Sequence, residues 1–291
     1  MKKIFHYSLF RIIYYFKIHV LCRKIIQKNK VSVLLFHECN EIVFEKAMLY
    51  LKNHYQIISL KSYINQTIKP NPGKPYLIIT FDDGCVSNFK LLKTIKKYNI
   101  PITIYLIHDY IEKSTPFWWN YDSLTSQHIE YLKTISNKKR IKKIEIKKLL
   151  SSNTNQRDSL NLKEISEMQQ YLDFQCHTMT HPILTYCDKK EIITELKDSK
   201  EKISTILKKE VNHFAYPNGN YNDDIIKSLK TFGYKSAVTV DFGFNSLETT
   251  SNFEIKRIIA GGGKDFIETV ICASGAYGLI KKYMSFLIPA R

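Results

Sequence analysis

Short apolar runs punctuate the chain, and longer stretches of helical periodicity separate them. The runs at 31–36, 76–81, 102–107, 174–177, 213–216, 236–240 and 255–259 read as strands. Helical patterns fill the intervals at roughly 42–54, 86–98, 188–208 and 223–232. Two helix starts carry capping-box spacing, Asn161 with Glu164 and Asp188 with Glu191. This alternation predicts an α/β fold, a parallel sheet with helical crossovers that closes as a barrel or stays open. In either form, chemistry belongs at the carboxyl ends of the strands. No internal repeat is present.

Residues from about 112 to 160 break this rhythm and read as an insertion, partly helical. It opens on Phe117-Trp118-Trp119-Asn120 and ends in Ser151-Ser152-Asn153-Thr154-Asn155-Gln156. Trp118 and Trp119 have the faces to line a sugar cleft, while packing claims at least one of them. The lysine run between these ends reads as a solvated face.

Charge sharpens the division into regions. The chain of 291 residues has a formal charge of +17, from 44 Lys+Arg and 27 Asp+Glu. Residues 1–30 hold eight Lys/Arg and no acid, and residues 131–150 hold eight Lys/Arg against only Glu145. The remainder is nearly neutral, and no zinc-finger, RNP or basic-zipper pattern accompanies the charge, so no nucleic-acid partner is expected. With 44% hydrophobic residues the chain has ample core material, which excludes disorder. Cys22, Cys39, Cys85, Cys176, Cys187 and Cys272 form no C-x-x-C pair and suit buried thiols in a reducing compartment.

The basic leader is neither a signal peptide nor a spanning helix, because Arg11 and Lys17 interrupt its apolar stretch. Its aromatic and aliphatic residues among lysines fit a segment lying in a membrane interface or a basic helix packed on the domain. The tail, 276–291, repeats this basic and apolar style and favours the membrane surface. The expected organisation is therefore a basic segment at 1–30, a catalytic domain at 31–275 and that tail.

Two motifs carry chemistry. Thr80-Phe81-Asp82-Asp83-Gly84 closes an apolar strand with adjacent carboxylates, which raise each other's pKa unless a positive group holds them. A metal relieves that cost by taking one carboxylate as ligand and leaving the other as a base. Alone, the motif equally fits a polar strand-to-turn transition. His177-Thr178-Met179-Thr180-His181 follows a second strand, and its four-residue spacing puts both imidazoles on one face if the chain turns helical there. Asp83, His177 and His181 together make a two-His, one-carboxylate set that suits catalytic Zn²⁺, with Fe²⁺, Co²⁺ or Ni²⁺ also compatible.

These two motifs, followed by Phe214-Ala215-Tyr216-Pro217-Asn218-Gly219, resemble the NodB-homology polysaccharide deacetylases, carbohydrate esterase family four. The resemblance runs from about Val31 to Ile259. It implies a distorted (β/α) barrel that removes acetyl groups from sugars with a divalent metal. It also implies that Asp82 is the general base and that Asp83, His177 and His181 hold the metal. Ala215 stands where the family usually has an arginine, and the late Leu-x-His element is absent. Both departures resemble the branch of the poly-N-acetylglucosamine and surface-glycan deacetylases. By that likeness His37 is the candidate general acid, and Arg257 replaces the missing arginine beside Asp82. Tyr216, Pro217, Asn218 and Trp118 are then the candidates for substrate contact and oxyanion donation.

The resulting expectation is a metal-dependent N-deacetylase acting on a surface polysaccharide or its lipid-linked precursor. It is expected in the cytoplasm, at the inner face of an anionic membrane. A glycan-binding pseudoenzyme and an O-deacetylase are the competing readings.

Overall fold

Each apolar run becomes a strand in the computed structural model, which describes residues 2–69, 73–111, 113, 115–248, 251–261, 263 and 265–287. In chain order the strands are β1 (Lys30–Phe36), β2 (Tyr76–Phe81), β3 (Ile102–Leu106), β4 (Asp173–Cys176), β5 (His213–Ala215), β6 (Ser236–Phe242) and β7 (Ile255–Ile259). Each pairs with the next and β7 returns to β1, the strand order of a distorted (β/α) barrel. Two-residue strands, Gln56–Ile57 and Asn245–Ser246, extend the sheet beside β2 and β1. The chain divides into two compact units, one of residues 1–81, 90–103 and 240–291, the other of residues 82–89 and 104–239.

In the first unit β1 pairs in parallel with β2, from Val31↔Tyr76 to Phe36↔Phe81, and with β7 at Leu34↔Ile258. Residues 31–36 and 76–81 are all buried, as expected of parallel strands covered on both faces. Their few polar groups are satisfied: Ser32 accepts from Gln27 Nε2, and Thr80 donates to the Leu34 carbonyl at 2.6 Å. Helix Glu41–His54 starts at Asn40, whose side chain accepts from the backbone N–H groups of Ile42 and Val43. It buries Phe44, Ala47, Met48 and Leu51, one face at helical spacing.

The N-terminal helix, Lys2–Tyr15, packs Phe10 and Ile13 against Ile271 and Ala276, so this part of the leader is docked on its own unit. Lys17 then takes a left-handed φ of +54°, and helix Ile18–Ile25 follows. It turns His19 and Arg23 inward and leaves Ile18, Leu21 and Ile25 exposed. The tail is helical over Ala276–Leu287, and its last residues, 288–291, lie outside the described residues. Among the described residues no helix is long and apolar enough to cross a membrane.

In the second unit β4, β5 and β6 pair in parallel, with Cys176↔Phe214 and Ala215↔Val238 in register. Both expected capping boxes are present, and a third joins Thr125 to His128, where an imidazole takes the place of the usual carboxylate or amide. The stretch 112–160 holds helices Ser126–Leu132 and Asn137–Leu149. Asp158 fixes its tryptophan turn by accepting from the Phe117 N–H and Asn120 Nδ2. The helical pattern at 188–208 is realised as Lys189–Ile193 and Ser199–Leu207 with a π turn, Thr194–Asp198, between them. All six cysteines are free, and burial pushes the Cys39 and Cys272 thiols up to about 12.

Candidate metal centre

β2 ends at Phe81, and the next three residues make a tight turn. Asp83 and Gly84 both adopt left-handed backbone, with φ of +68° and +64°, and the Gly84 N–H bonds back to the Asp82 carbonyl. A Cβ on Gly84 would lie 2.6 Å from Leu106 Cδ2, so the turn requires glycine for space as well as for φ. The Gly84 carbonyl accepts from the Leu160 N–H at 2.8 Å, which ties the turn to the chain leaving the 112–160 stretch. Asp82 and Asp83 are both buried, at 3% and 6% exposure.

The second motif is not helical. The His177 N–H donates to the Leu106 carbonyl, and the chain then bends through left-handed Thr178 (φ +71°) and His181 (φ +58°). The Thr178 hydroxyl accepts from the His181 N–H at 2.9 Å and sets the second bend. Two strained residues, rather than a helical turn, bring the imidazoles to one place. Non-glycine residues at positive φ persist where their surroundings over-determine them, most often at functional sites.

Asp83 Oδ1 lies 3.4 Å from His177 Nε2 and 3.6 Å from His181 Nε2. One donor atom from each of the three residues falls within 4.8 Å of the others. Bonds of about 2.0–2.2 Å to imidazole nitrogen and carboxylate oxygen fit a single divalent cation among them. The ring orientation agrees: His177 Nδ1–H donates to the Ala215 carbonyl at 2.8 Å, which leaves the Nε2 lone pair facing Asp83. Burial and the neighbouring His177 bring the His181 imidazole down to about 3, so it is neutral at ordinary pH, the form a metal ligand requires. Burial also acts to lower His177, but the Asp83 carboxylate and the charges of Asp82 and Asp83 outweigh it and hold the group above its usual value. The carboxylates thus call for positive charge at this point, which a divalent metal ion would supply.

Two residues that the motifs do not announce frame the loop that carries His177 and His181. Glu195, in the π turn, is 4% exposed and accepts from the Met179 N–H, the Thr180 N–H and the Thr180 hydroxyl at 2.6–2.9 Å. Burial pushes its carboxyl up despite those donors. π turns often mark functional sites, and this one was concealed within an ordinary helical periodicity. Arg140, from the lysine-rich helix, is 2% exposed and donates Nη1 to the His181 carbonyl at 2.8 Å and Nε to Asn137. Its guanidinium also sits over the Trp118 ring, 5.3 Å from the centroid. The lysine run is therefore not only a solvated face.

Of the paired tryptophans, Trp119 meets the site, its ring 4.6 Å from that of His181 and stacked on Phe117. Trp118 is buried with Tyr121 and Leu132, beneath Arg140. Tyr216 is also buried, its ring stacked on Tyr221. Pro217 and Asn218 form a short turn in which Asn218 is exposed, with φ of +56°. In the other unit His37 is exposed directly after β1, and Arg257 on β7 is fully buried with Nη1 donating to the Thr80 hydroxyl at 3.3 Å.

Comparison with known proteins adds the family. The sequence profile of the polysaccharide deacetylases matches residues 69–237, more than half of the chain. YxkH of Bacillus subtilis (strain 168), a protein named for the same family, is 23% identical over 226 residues, which span 74% of this chain and just under two thirds, 66%, of that protein. The fold is similar to that of the Streptococcus pyogenes deacetylase PplD, solved in complex with acetate, at a TM-score of 0.61 and 22% identity over 84% of this chain and 98% of that one. It is also similar to IcaB from Ammonifex degensii, at 0.59 and 17% over 84% and 97%. With the family profile spanning both the Asp82–Asp83 turn and the His177–His181 loop, the chain belongs to the polysaccharide deacetylase family.

Proposed function

We propose that the protein is a metal-dependent N-deacetylase acting on a surface polysaccharide or its lipid-linked precursor. The observation that carries this reading is the convergence of Asp83, His177 and His181 beside a second buried carboxylate, Asp82. Asp83, His177 and His181 would hold a divalent metal, most consistent with zinc, which when bound supplies Lewis acidity to the acetyl carbonyl and acidifies water. Asp82 takes the proton of the attacking water. Tyr216 commits its N–H to the Val238 carbonyl and Pro217 has none, which leaves the Asn218 N–H as oxyanion donor in that turn.

His37 gives its proton to the leaving amine. It is supported by exposure at the carboxyl end of β1, directly after Phe36, the register partner of Phe81. Arg257, bonded to Thr80 two residues ahead of Asp82 in the chain, steadies the strand end that carries the base. Trp119, rather than the buried Trp118, is the candidate for the sugar-facing wall, since its ring adjoins His181 and is only partly buried. Six free thiols suit a reducing compartment, and the basic leader suits the inner face of an anionic membrane.

The test is acetate release from N-acetylhexosamine oligomers and from lipid-linked glycan extract. Chelation should abolish release and added Zn²⁺ or Co²⁺ should restore it. Asp82→Asn should cut turnover by about 10²–10⁴-fold while metal content stays at that of the parent protein. Metal-independent release, or full activity in Asp82→Asn, would overturn the assignment. An ester-only response would select the O-deacetylase.

A further inference from the structure

A second charged site lies wholly within the first unit. Arg23, Lys24, Lys28 and Lys74 line a cavity of about 850 Å³ together with His54 and Asn53, and among the described residues no acid lines it. Arg23 is 9% exposed. It donates to the Tyr50 hydroxyl at 2.9 Å and lies over the Tyr50 and Tyr55 rings, 5.9 and 5.8 Å from their centroids. Among the described residues no carboxylate pairs with it. Buried charges are ordinarily paired, because removing an ion from water is costly unless an opposite charge offsets it. Here every charged neighbour along the cavity has the same sign. Burial, and then Arg23 itself, lower the His54 pKa, so the histidine stays neutral rather than adding to the repulsion.

The helix that supplies Arg23 and Lys24 has a second anomaly. Ile18, Leu21 and Ile25 form a stripe at i, i+3 and i+7 that faces outward, with Leu21 58% and Ile25 65% exposed. Tyr15 and Phe16, at the preceding turn, are 82% and 69% exposed. Lys24, exposed on the same helix, flanks this stripe on the Leu21 side. An outward apolar stripe set among cations, in a segment of 30 residues without an acid, has the chemistry of a helix lying in a lipid headgroup layer.

We propose that this cavity is a binding site for the phosphate of an anionic phospholipid headgroup, and that the Ile18–Ile25 stripe seats the surrounding surface on the bilayer. Arg23 offers a guanidinium held in place by two tyrosine rings, suited to a phosphate oxygen. Lys24, Lys28 and Lys74 close the charge around it. The site gives the membrane-proximal part of the functional reading a specific contact, and it does not depend on turnover.

The experiment is co-sedimentation of the full chain, without glycan, on vesicles of phosphatidylcholine alone or mixed with phosphatidylglycerol. The parent protein should favour the mixed vesicles strongly. Lys24→Gln/Lys28→Gln/Lys74→Gln should weaken that binding by about a hundredfold. Lys139→Gln/Lys142→Gln/Lys148→Gln, an equal loss of charge from exposed positions on helix Asn137–Leu149, should weaken it by no more than about threefold. Leu21→Ser/Ile25→Ser should reduce binding by about tenfold at unchanged charge. All these side chains are exposed, so folding, checked by thermal melting, should be retained. Equal binding to both vesicle types, or equal loss in the two lysine triples, would overturn the proposal. Saturable binding of soluble pyrophosphate without preference for phosphatidylglycerol would overturn the lipid assignment.

Discussion

Arg140 and Arg23 are both arginines from basic segments of the chain, both almost fully buried and both set against aromatic rings, yet their charges meet different surroundings. Arg140 lies among acceptors: the Asn137 side chain, the His181 carbonyl and the field of Glu195, which partly offsets the cost of its burial. Among the described residues Arg23 has a tyrosine hydroxyl and two ring faces but no carboxylate, and the cavity beside it is lined by further cations. A buried charge with its acceptors in place is part of the fold. One that lacks them is a binding statement, because the missing counter-charge must come from outside.

The strongest way to break this comparison is Arg140→Met. Removing one member of a buried charge arrangement costs about 3–5 kcal/mol, so urea denaturation should show a loss of that size. The same variant should bind metal more weakly, since the His181 carbonyl loses the donor that holds the ligand loop. Arg140→Lys should recover only part of both, as an ammonium cannot reproduce the forked contacts to Asn137 and His181. A loss below about 1 kcal/mol would mean that Arg140 is ornamental to the fold.

Glu195→Gln comes next in size. It keeps an acceptor for the Thr180 and Met179 donors but removes the charge, at a cost of about 1.5–3 kcal/mol. A double-mutant cycle with Arg140→Met should then show a coupling of about 0.5–3 kcal/mol, and additivity would dissociate the two residues. The smallest effect is expected for Arg23→Met. In phosphate-free buffer its stability should stay within about 1 kcal/mol of the parent, since lost ring and hydroxyl contacts are offset by relief of an unpaired charge. A loss as large as that of Arg140→Met would show that the fold already compensates Arg23. Anionic lipid should raise the melting temperature of the parent protein and leave that of Arg23→Met unchanged.

The strands were legible because both faces of a parallel strand are buried, which writes near-continuous apolar runs such as Val31 to Phe36 and Tyr76 to Phe81. Their ends were less so. The runs at 174–177 and 213–216 each carry one residue past the last strand residue, Cys176 and Ala215. There the backbone still makes sheet-like bonds, His177 to Leu106 and Tyr216 to Val238, while the chain is already turning toward the site. The candidate metal ligands were legible as residue types at a spacing, but the helical geometry that spacing suggests is not how they meet. Glu195 and Arg140 could not be singled out, since an acid in a helical pattern and one arginine among seven lysines look like solvent-facing charge. The same holds for the two tryptophans, whose adjacent positions do not say which one meets His181.

By itself, then, the sequence determined the order of strands and helices, the two carboxylates closing β2, the paired histidines after β4 and the family to which they belong. Those properties are local, written in hydrophobic period and in side-chain chemistry along short segments. Only the tertiary structure decided that left-handed Asp83, Thr178 and His181 bring the candidate ligands to one point, that a π turn delivers Glu195 to the loop, and that Arg140 and Arg23 leave their basic surroundings for the interior. The physical reason is that the worth of a buried charge or a strained residue lies in the partners that surround it, and those partners come from segments far apart in the chain.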